Sequence, residues 1–240
     1  MKLNYTPIIE EKHYLKHRDL IPKELKNHIN SLKKIPRFQL NEYPKGVIKD
    51  STKEHTLKCI HLANTINFKI QKKKLIRTLW IHDIPELIIK DITVIEKNRK
   101  PRLSEELDNQ EVEAAKILLN ETDRELLTQF NKAYEILKGK EKWTRQVPLE
   151  MLLGKIIDNT DGNITFHYFV SKWTASTSYK KEEMFPMDSL EYTFLTNRKF
   201  SKFIRAHFPK EQQRILLHFI DITLENIRHL WKNVPEKRIP

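Results

Sequence analysis

The segment "WIHDIPELIIKD", from Trp80 to Asp91, places four polar side chains in a run that otherwise has the composition of a buried helix. Burying an unpaired carboxylate is costly, so such residues normally either point into solvent or bind a partner. On a helix, His82 and Glu86 are four residues apart and Asp83 and Glu86 are three apart, so the three side chains can share one side. The segment therefore predicts a helix with a polar site on one face.

Apolar residues recur at helical spacing along the rest of the chain, and only 4 glycines occur among the 240 residues. Together these features predict an all-α protein. The expected helices follow apolar stripes within 25–32, 59–66, 75–81, 107–118, 127–137, 149–156, 200–204 and 215–231. Pro85 should kink or restart its helix because it lacks an N–H group. We also expect the sixth helix to end near Gly162, and the segment 171–189 to form a loop.

The length predicts a single domain over residues 1–240, with a core at about 20–170 and a C-terminal helical extension at about 185–232. The formal charge of +12 favours anionic partners such as nucleotides, nucleic acid or an acidic membrane surface. The single cysteine, Cys59, suits a reducing compartment and excludes an intramolecular disulfide. No stretch without a formal charge is longer than ten residues, so we expect no membrane span and a cytoplasmic location.

A divalent cation held by nitrogen and oxygen ligands needs more than the adjacent His82 and Asp83. Two further candidates lie on expected helices: His55, in "TKEHT", and Asp158, in "KIIDNTDG". Asp161 competes with Asp158 because it follows three residues later on the same helical side. We prefer Asp158 as the ligand and expect Asp161 to act as a cap or as a partner of a ligand.

These motifs resemble the HD-domain metal-dependent phosphohydrolases, an all-α family defined by a His, a His-Asp pair and a distant Asp. More narrowly, they resemble its 5'-deoxyribonucleotidase branch. The sequences "IPRF", "TKEHT", "HDIPELIIKD" and "KIIDNTDG" occur in the order of that branch and at about its spacing. The resemblance covers Leu32 to about Val170. It implies an HD-type helical bundle and a homodimer. In this chain we expect additional C-terminal helices beyond the bundle.

The resemblance also implies a role for each matching residue. One divalent ion, whether Mn, Co, Mg, Zn, Fe or Ni, would be held by His55, His82, Asp83 and Asp158. Glu86 would handle protons at the attacking water or the leaving oxygen. The remaining implied contacts are to substrate: Arg37 to the phosphate, Phe38 to the base or sugar, and Asp91 to the deoxyribose, with Asp91 the alternative catalytic carboxylate. Lys90 precedes Asp91 where the branch commonly has glycine, so this position departs from the pattern that implies the sugar contact.

The chemistry of these residue types agrees with that allocation. Hydrolysis of a phosphomonoester needs a nucleophile formed near neutral pH and compensation of the charge on the phosphoryl oxygens. A divalent ion supplies the first by lowering the pKa of bound water from about 15.7 toward about 7. The ion and Arg37, whose planar guanidinium matches phosphate oxygens, supply the second.

Hydrolysis of nucleoside 5'-monophosphates, with deoxy forms preferred, is therefore the leading hypothesis. The first alternative is an alarmone or nucleoside triphosphate hydrolase of the same superfamily. The alarmone branch has paired carboxylates soon after its His-Asp pair, whereas Glu86 is followed here by Leu87. Cyclic-dinucleotide diesterases have Gly-Lys where this chain has Pro85-Glu86. The second alternative is a non-catalytic nucleic-acid-binding module. It would use the positive charge and three tryptophans near basic residues, Trp143, Trp173 and Trp231.

Overall fold

The computed structural model describes residues 11–38, 50–89, 101–139, 147–176 and 185–232. These ranges contain helices and no β-strand, apart from an isolated antiparallel bridge between Pro36 and Ser51, so the all-α prediction is confirmed. The helices are α1 (Glu11–Tyr14), α2 (Lys26–Ser31), α3 (Thr52–Asn64), α4 (Lys72–Ile81), α5 (Glu86–Ile89), α6 (Pro101–Leu118), α7 (Glu121–Leu137), α8 (Leu149–Ser176), α9 (Phe185–His207) and α10 (Lys210–Leu230). Short 3-10 helices cover Leu15–Leu20, Lys23–Leu25 and Leu32–Lys34.

Two local signals in the sequence set the ends of the helices that carry the site. Ser51 caps α3: its hydroxyl accepts a hydrogen bond from the Glu54 backbone N–H, and the Glu54 carboxylate accepts one from the Ser51 N–H. This capping box satisfies N–H groups that the first helical turn leaves without partners. Pro85 lies in the turn between α4 and α5, so the prediction that it interrupts the helix is confirmed.

The predicted end of a helix near Gly162 is wrong. Helix α8 continues through this residue to Ser176, and α9 begins at Phe185, so both ends of the predicted 171–189 loop are helical. One glycine within a helix costs only about 1 kcal/mol relative to alanine, and burial along the rest of α8 outweighs that penalty. Buried apolar residues such as Ile164 and Val170 continue beyond Gly162, so the glycine alone did not mark a helix end.

Helix α8 is the central element of the fold, and it packs against α3, α4, α7, α9 and α10. Gly154 allows this close approach. A β-carbon there would lie 3.2 Å from Leu75 of α4 and 3.2 Å from Phe130 of α7, tighter than ordinary van der Waals contact. The main core is formed between these helices, and a smaller apolar cluster around Phe166 and Trp231 joins α8, α9 and α10. No helix in the described ranges is both long enough and apolar enough to cross a membrane.

Candidate metal centre

The four side chains predicted as ligands come together on three neighbouring elements. His55 lies on α3, His82 and Asp83 lie in the turn after α4, and Asp158 lies on α8. The Nε2 atom of His55 is 3.2 Å from His82 Nε2, 3.5 Å from Asp83 Oδ2 and 3.2 Å from Asp158 Oδ1. His82 Nε2 is in turn 3.2 Å from Asp83 Oδ2. We refer to these four residues as the metal cluster.

These separations between donor atoms fit a shared ion. Two ligand atoms at about 2.0–2.2 Å from one ion lie about 2.8–3.6 Å apart, depending on the angle between the bonds. All four measured separations, 3.2 to 3.5 Å, fall in that range. Asp83 Oδ2 is also buried and accepts no hydrogen bond from any described residue. A buried carboxylate oxygen facing two imidazole nitrogens is what a cation would satisfy, so the residues fit a divalent metal.

The far nitrogen of each histidine is held by a partner that fixes the ring. His55 Nδ1 is 2.6 Å from Asp161 Oδ2, and His82 Nδ1 is 2.9 Å from the Leu79 carbonyl oxygen. Because a carbonyl only accepts, the Nδ1–H of His82 donates to it and leaves Nε2 with its lone pair facing the cluster. A carboxylate or carbonyl behind a histidine is the usual arrangement around metal-ligating imidazoles.

Asp161 is held in turn by a fully buried lysine that the sequence analysis missed. Lys58 Nζ lies 3.5 Å from Asp161 Oδ1 and 2.9 Å from Asp50 Oδ2, and it donates to the Thr165 hydroxyl at 2.8 Å. Burial opposes both charges. Lys58 and His55 together keep the pKa of Asp161 below its usual value, and Asp161 and Asp50 together keep the pKa of Lys58 above its usual value. The ion pair therefore keeps a negative carboxylate behind His55.

A second cation absent from the sequence-based site lies beside Asp158. Lys155 Nζ is 2.9 Å from Asp158 Oδ2 and packs over the ring of Phe130 at 4.4 Å. Burial opposes ionisation of Asp158, but Lys155, His55 and His82 together hold the pKa of that carboxyl well below its usual value. The i, i+3 spacing of Lys155 and Asp158 was visible in the sequence, but it equally describes a surface ion pair.

The cluster favours positive charge. Burial and the Arg37 guanidinium lower the pKa of His55, but its hydrogen bonds to Asp158 and Asp161 help to hold the pKa well above its usual value. The carboxylates that retain a proton on this imidazole would also attract a divalent cation.

Cys59 offers a further donor one turn after His55. Its Sγ forms a group with His55 and His82 in which all donor atoms lie within 4.8 Å of one another, so a His-Cys-His set could also hold an ion. The sulfur is 3.8 Å from Nδ1 and 3.7 Å from Nε2 of His55, however, which places it off the Nε2 lone-pair axis. Burial raises the pKa of the thiol to about 12, so the sulfur is protonated without a bound ion. The two histidines with the two aspartates are the better fit.

Arg37 and Phe38 lie at the edge of the metal cluster. The Arg37 Nη1 atom is 3.9 Å from Asp83 Oδ2, and its guanidinium carbon lies 4.9 Å from the Phe38 ring centre. Phe38 has a φ of 55°, a left-handed conformation that costs a bulky residue about 1–3 kcal/mol. Its ring packs edge-on against Phe166 at 5.3 Å. This packing holds a strained backbone in the position that presents the guanidinium next to the cluster.

Glu86 lies at the start of α5, and its Oε2 accepts a hydrogen bond from the Thr52 hydroxyl at 2.9 Å. Thr52 precedes His55 by three residues on α3 and therefore lies on the same side of that helix. The contact brings Glu86 to the face of α3 that carries the cluster. Asp91 lies outside the described residues.

The structure argues against Trp231 as a stacking platform for nucleic acid. Its side chain is 2% exposed, and its indole N–H donates to His167 Nδ1 at 3.2 Å. Trp143 and the side chain of Trp173 lie outside the described part of the chain. A base cannot stack on a ring that is already enclosed by α8, α9 and α10.

Comparison with known families agrees with this geometry. A family model described as HD domain matches residues 29–187, which include every residue of the metal cluster. No curated protein and no protein of solved structure matches the chain.

Proposed function

The chain belongs to the HD-domain family of metal-dependent phosphohydrolases, and within that family we propose that it hydrolyses (deoxy)nucleoside 5'-monophosphates to nucleoside and phosphate. The observation that carries the proposal is the position of Arg37. Its guanidinium lies 3.9 Å from an Asp83 oxygen at the edge of the metal cluster. A substrate phosphate there could contact both the guanidinium and an ion held by the cluster. Arginine binds phosphate oxygens through a planar, two-pronged set of donors.

When bound, a divalent ion held by His55, His82, Asp83 and Asp158 supplies an acidified water and offsets charge on the phosphoryl oxygens. Asp161 and the Leu79 carbonyl keep the two imidazoles oriented for that ion. Such partners typically affect metal affinity or activity by about 10–100-fold.

Charge on the phosphoryl group would be met from two sides. Arg37 approaches next to Asp83, and Lys155 stands beside Asp158 on α8. Both cations are present before substrate arrives, so little reorganisation is needed as charge shifts to the leaving oxygen. Packing over Phe130 and the ion pair with Asp158 restrain the flexible side chain of Lys155.

We assign the proton transfer to Glu86. The hydrogen bond from Thr52 occupies one lone pair of Oε2 and fixes the carboxylate at the face of α3 that carries His55. From there Glu86 can take a proton from the attacking water and return it to the departing 5'-oxygen. The P–O bond to the 5'-oxygen breaks, a P–O bond to water forms, and the protons balance within the site.

Phosphate release from a panel of nucleoside mono-, di- and triphosphates and guanosine tetraphosphate, each with Mn²⁺, Co²⁺, Mg²⁺, Zn²⁺ or Ni²⁺, tests the proposal. We expect release of inorganic phosphate from 5'-monophosphates, faster from deoxy forms, and none after chelation. Turnover confined to triphosphates or to the tetraphosphate would contradict the monophosphate assignment. DNA binding that survives chelation, with no phosphate release from any substrate, would contradict the enzyme assignment altogether.

A further inference from the structure

A second group of imidazoles lies where the N-terminal segment packs on α3. His13 on α1 and His17 in the following 3-10 helix are four residues apart, and His61 lies in the last turn of α3. The His17 and His61 ring centres are 5.4 Å apart, and those of His13 and His61 are 6.3 Å apart. We refer to these three residues as the N-terminal histidine cluster. It shares no residue with the metal cluster.

The innermost pair already has the separation of two ligands on one ion. His17 Nε2 is 3.2 Å from His61 Nδ1. Two nitrogens that share an ion at about 2.0–2.1 Å lie about 2.8–3.4 Å apart. Only one proton can lie between two facing ring nitrogens, so a single N–H···N bond is the best that the pair achieves without a further partner.

The His17 ring is held in place beside His61. It is 6% exposed and lies where the N-terminal segment packs on α3. Its other ring nitrogen, Nδ1, points away from His61 and makes no hydrogen bond to any described residue. Because packing fixes the ring, the pair keeps the separation that two ligands of one ion require.

We propose that His13, His17 and His61 bind one transition-metal ion of the imidazole-preferring class, represented by Ni²⁺, Cu²⁺ or Zn²⁺. His17 Nε2 and His61 Nδ1 form the preset pair. His13 is half-buried and completes the set by rotation of its side chain. The ion would join the N-terminal segment to α3 and so stabilise the packing of residues 11–20 on the core.

The surroundings determine which ions suit the site. Lys12, Lys16 and Arg18 are exposed neighbours in sequence, and their charge opposes any cation. No carboxylate belongs to the three-residue set, so Mg²⁺ and Ca²⁺, which need oxygen ligands, should not bind there. Ni²⁺, Cu²⁺ and Zn²⁺ bind imidazole well enough to overcome modest repulsion, with Cu²⁺ strongest in the usual order. The metal cluster, with its two carboxylates, has no such restriction.

Ni²⁺ titration of the tag-free full chain tests the proposal, because the two sites can be emptied independently. We expect the wild type to bind two equivalents of Ni²⁺. His61→Ala should bind one equivalent and keep its Mn²⁺-dependent phosphatase activity, and the double variant His82→Ala/Asp83→Ala should bind one equivalent without activity. Combining all three substitutions should leave no binding, whereas His229→Ala, at an exposed histidine of α10, should retain both equivalents.

His13→Ala guards against misfolding, because this side chain lies outside the close pair and its loss should weaken Ni²⁺ binding at least tenfold without altering the circular dichroism spectrum. In the His82→Ala/Asp83→Ala background, Ni²⁺ should raise the melting temperature and Mg²⁺ should not. A wild type that binds a single equivalent of Ni²⁺, lost with the metal cluster, would overturn the proposal. Retention of both equivalents in His61→Ala would do the same.

Discussion

The metal cluster, which includes Asp158 of α8, and a second polar cluster further along α8 are both buried, yet they differ in how their hydrogen bonds balance. We refer to the second group, His167, Trp231, Thr193 and Asn163, as the His167 cluster. Trp231 Nε1–H donates to His167 Nδ1 at 3.2 Å, and His167 Nε2 lies 3.1 Å from the Thr193 hydroxyl. That hydroxyl donates to Asn163 Oδ1 at 2.9 Å. Because the indole N–H can only donate, His167 Nδ1 accepts and its Nε2 carries the proton. Every donor in this series of hydrogen bonds therefore meets an acceptor.

The metal cluster lacks that balance. Its ring nitrogens and carboxylate oxygens face one another, and Asp83 Oδ2 accepts no hydrogen bond within the described residues. Burial alone therefore does not distinguish a structural histidine from a ligand, whereas the match of donors to acceptors does. Substitutions in the metal cluster should remove function at little cost to the metal-free fold. Substitutions in the His167 cluster should do the reverse.

Asp83→Ala should give the largest effect. Without this ligand we expect loss of bound metal and a fall in kcat/KM of about 10³-fold or more, because the ion contributes several kcal/mol to the transition state. Metal-free stability should stay the same or rise, since the variant no longer buries a carboxylate oxygen without a hydrogen bond. Elemental analysis and thermal unfolding with and without chelator measure both effects.

Metal at about 100 times its Kd should raise the free energy of unfolding of the wild type by about 2.7 kcal/mol. The same metal concentration should leave the free energy of unfolding of Asp83→Ala almost unchanged. A folded Asp83→Ala protein that keeps wild-type metal content would remove this residue from the ligand set. A metal-free variant much less stable than metal-free wild type would contradict the idea that the cluster is incomplete on its own.

Glu86→Gln should lower kcat by about 10²–10⁴-fold with metal still bound. Glutamine keeps the size of the side chain and an oxygen that can accept the Thr52 hydrogen bond, but it cannot exchange a proton. Glu54→Gln is the matched control, because that carboxylate belongs to the capping box of α3 and not to the site. Near wild-type turnover of Glu86→Gln on every monophosphate would move the proton transfer elsewhere, with Asp91 as the next candidate.

Arg37→Ala should lower kcat/KM by about 10–150-fold, since a charge-assisted contact to phosphate contributes about 1.5–3 kcal/mol. We expect most of the loss in KM, because the phosphate is charged in both the bound substrate and the transition state. Lysine at position 37 should recover only part of it, being a point charge without the planar fork. If Lys34→Ala, which removes an exposed neighbouring charge, has the same effect, Arg37 acts through general attraction and not through contact.

The fold class was predictable because the apolar period depends on local spacing. The candidate ligands were identified through the resemblance to the HD-domain motifs, since His55 and Asp158 are far apart in the sequence. The interruption at Pro85 was also predictable, but it places His82 and Asp83 in a turn before Glu86 begins α5, so the spacing rule for a single helix does not hold there. What could not be predicted was the length of α8, whose stability comes from packing against five other helices.

Of the residues that hold the predicted ligands, Asp161 was expected from the sequence, but Lys58 and Lys155 were not. Lys58 lies three residues after His55 and looks like an exposed charge on a helix, yet it is 2% exposed and paired with Asp50 and Asp161. The pairing with Asp161 spans more than a hundred residues and arises only when α3 packs on α8. The same holds for His17 and His61, which meet only because the N-terminal segment folds against α3.

His167→Leu should have the smallest effect, confined to stability. Burial lowers the pKa of His167 to about 3, so the folded protein keeps it neutral while the unfolded chain protonates below about pH 6.5. The stabilisation from His167 is therefore complete above pH 6.5 and is lost as the pH falls toward 3. At pH 8 we expect His167→Leu to cost about 1–3 kcal/mol, because the Trp231 N–H is left buried without an acceptor.

The pH dependence separates the role of His167 from general loss of packing. At pH 5, protonation of His167 in the unfolded wild type lowers its free energy of unfolding by about 2 kcal/mol. Leucine does not titrate, so the difference in free energy of unfolding between wild type and His167→Leu should shrink by that amount. Urea denaturation in chelator at both pH values measures this difference. In samples without chelator, the metal content of His167→Leu at pH 8 should equal that of the wild type. Trp231→Phe should cost less in the His167→Leu background than in wild type, since it then removes a donor that already lacks its acceptor. If Trp231→Phe lowers the free energy of unfolding equally in both backgrounds, the indole N–H gains nothing from His167. The His167 cluster would then not differ from the metal cluster in the match of its donors to acceptors.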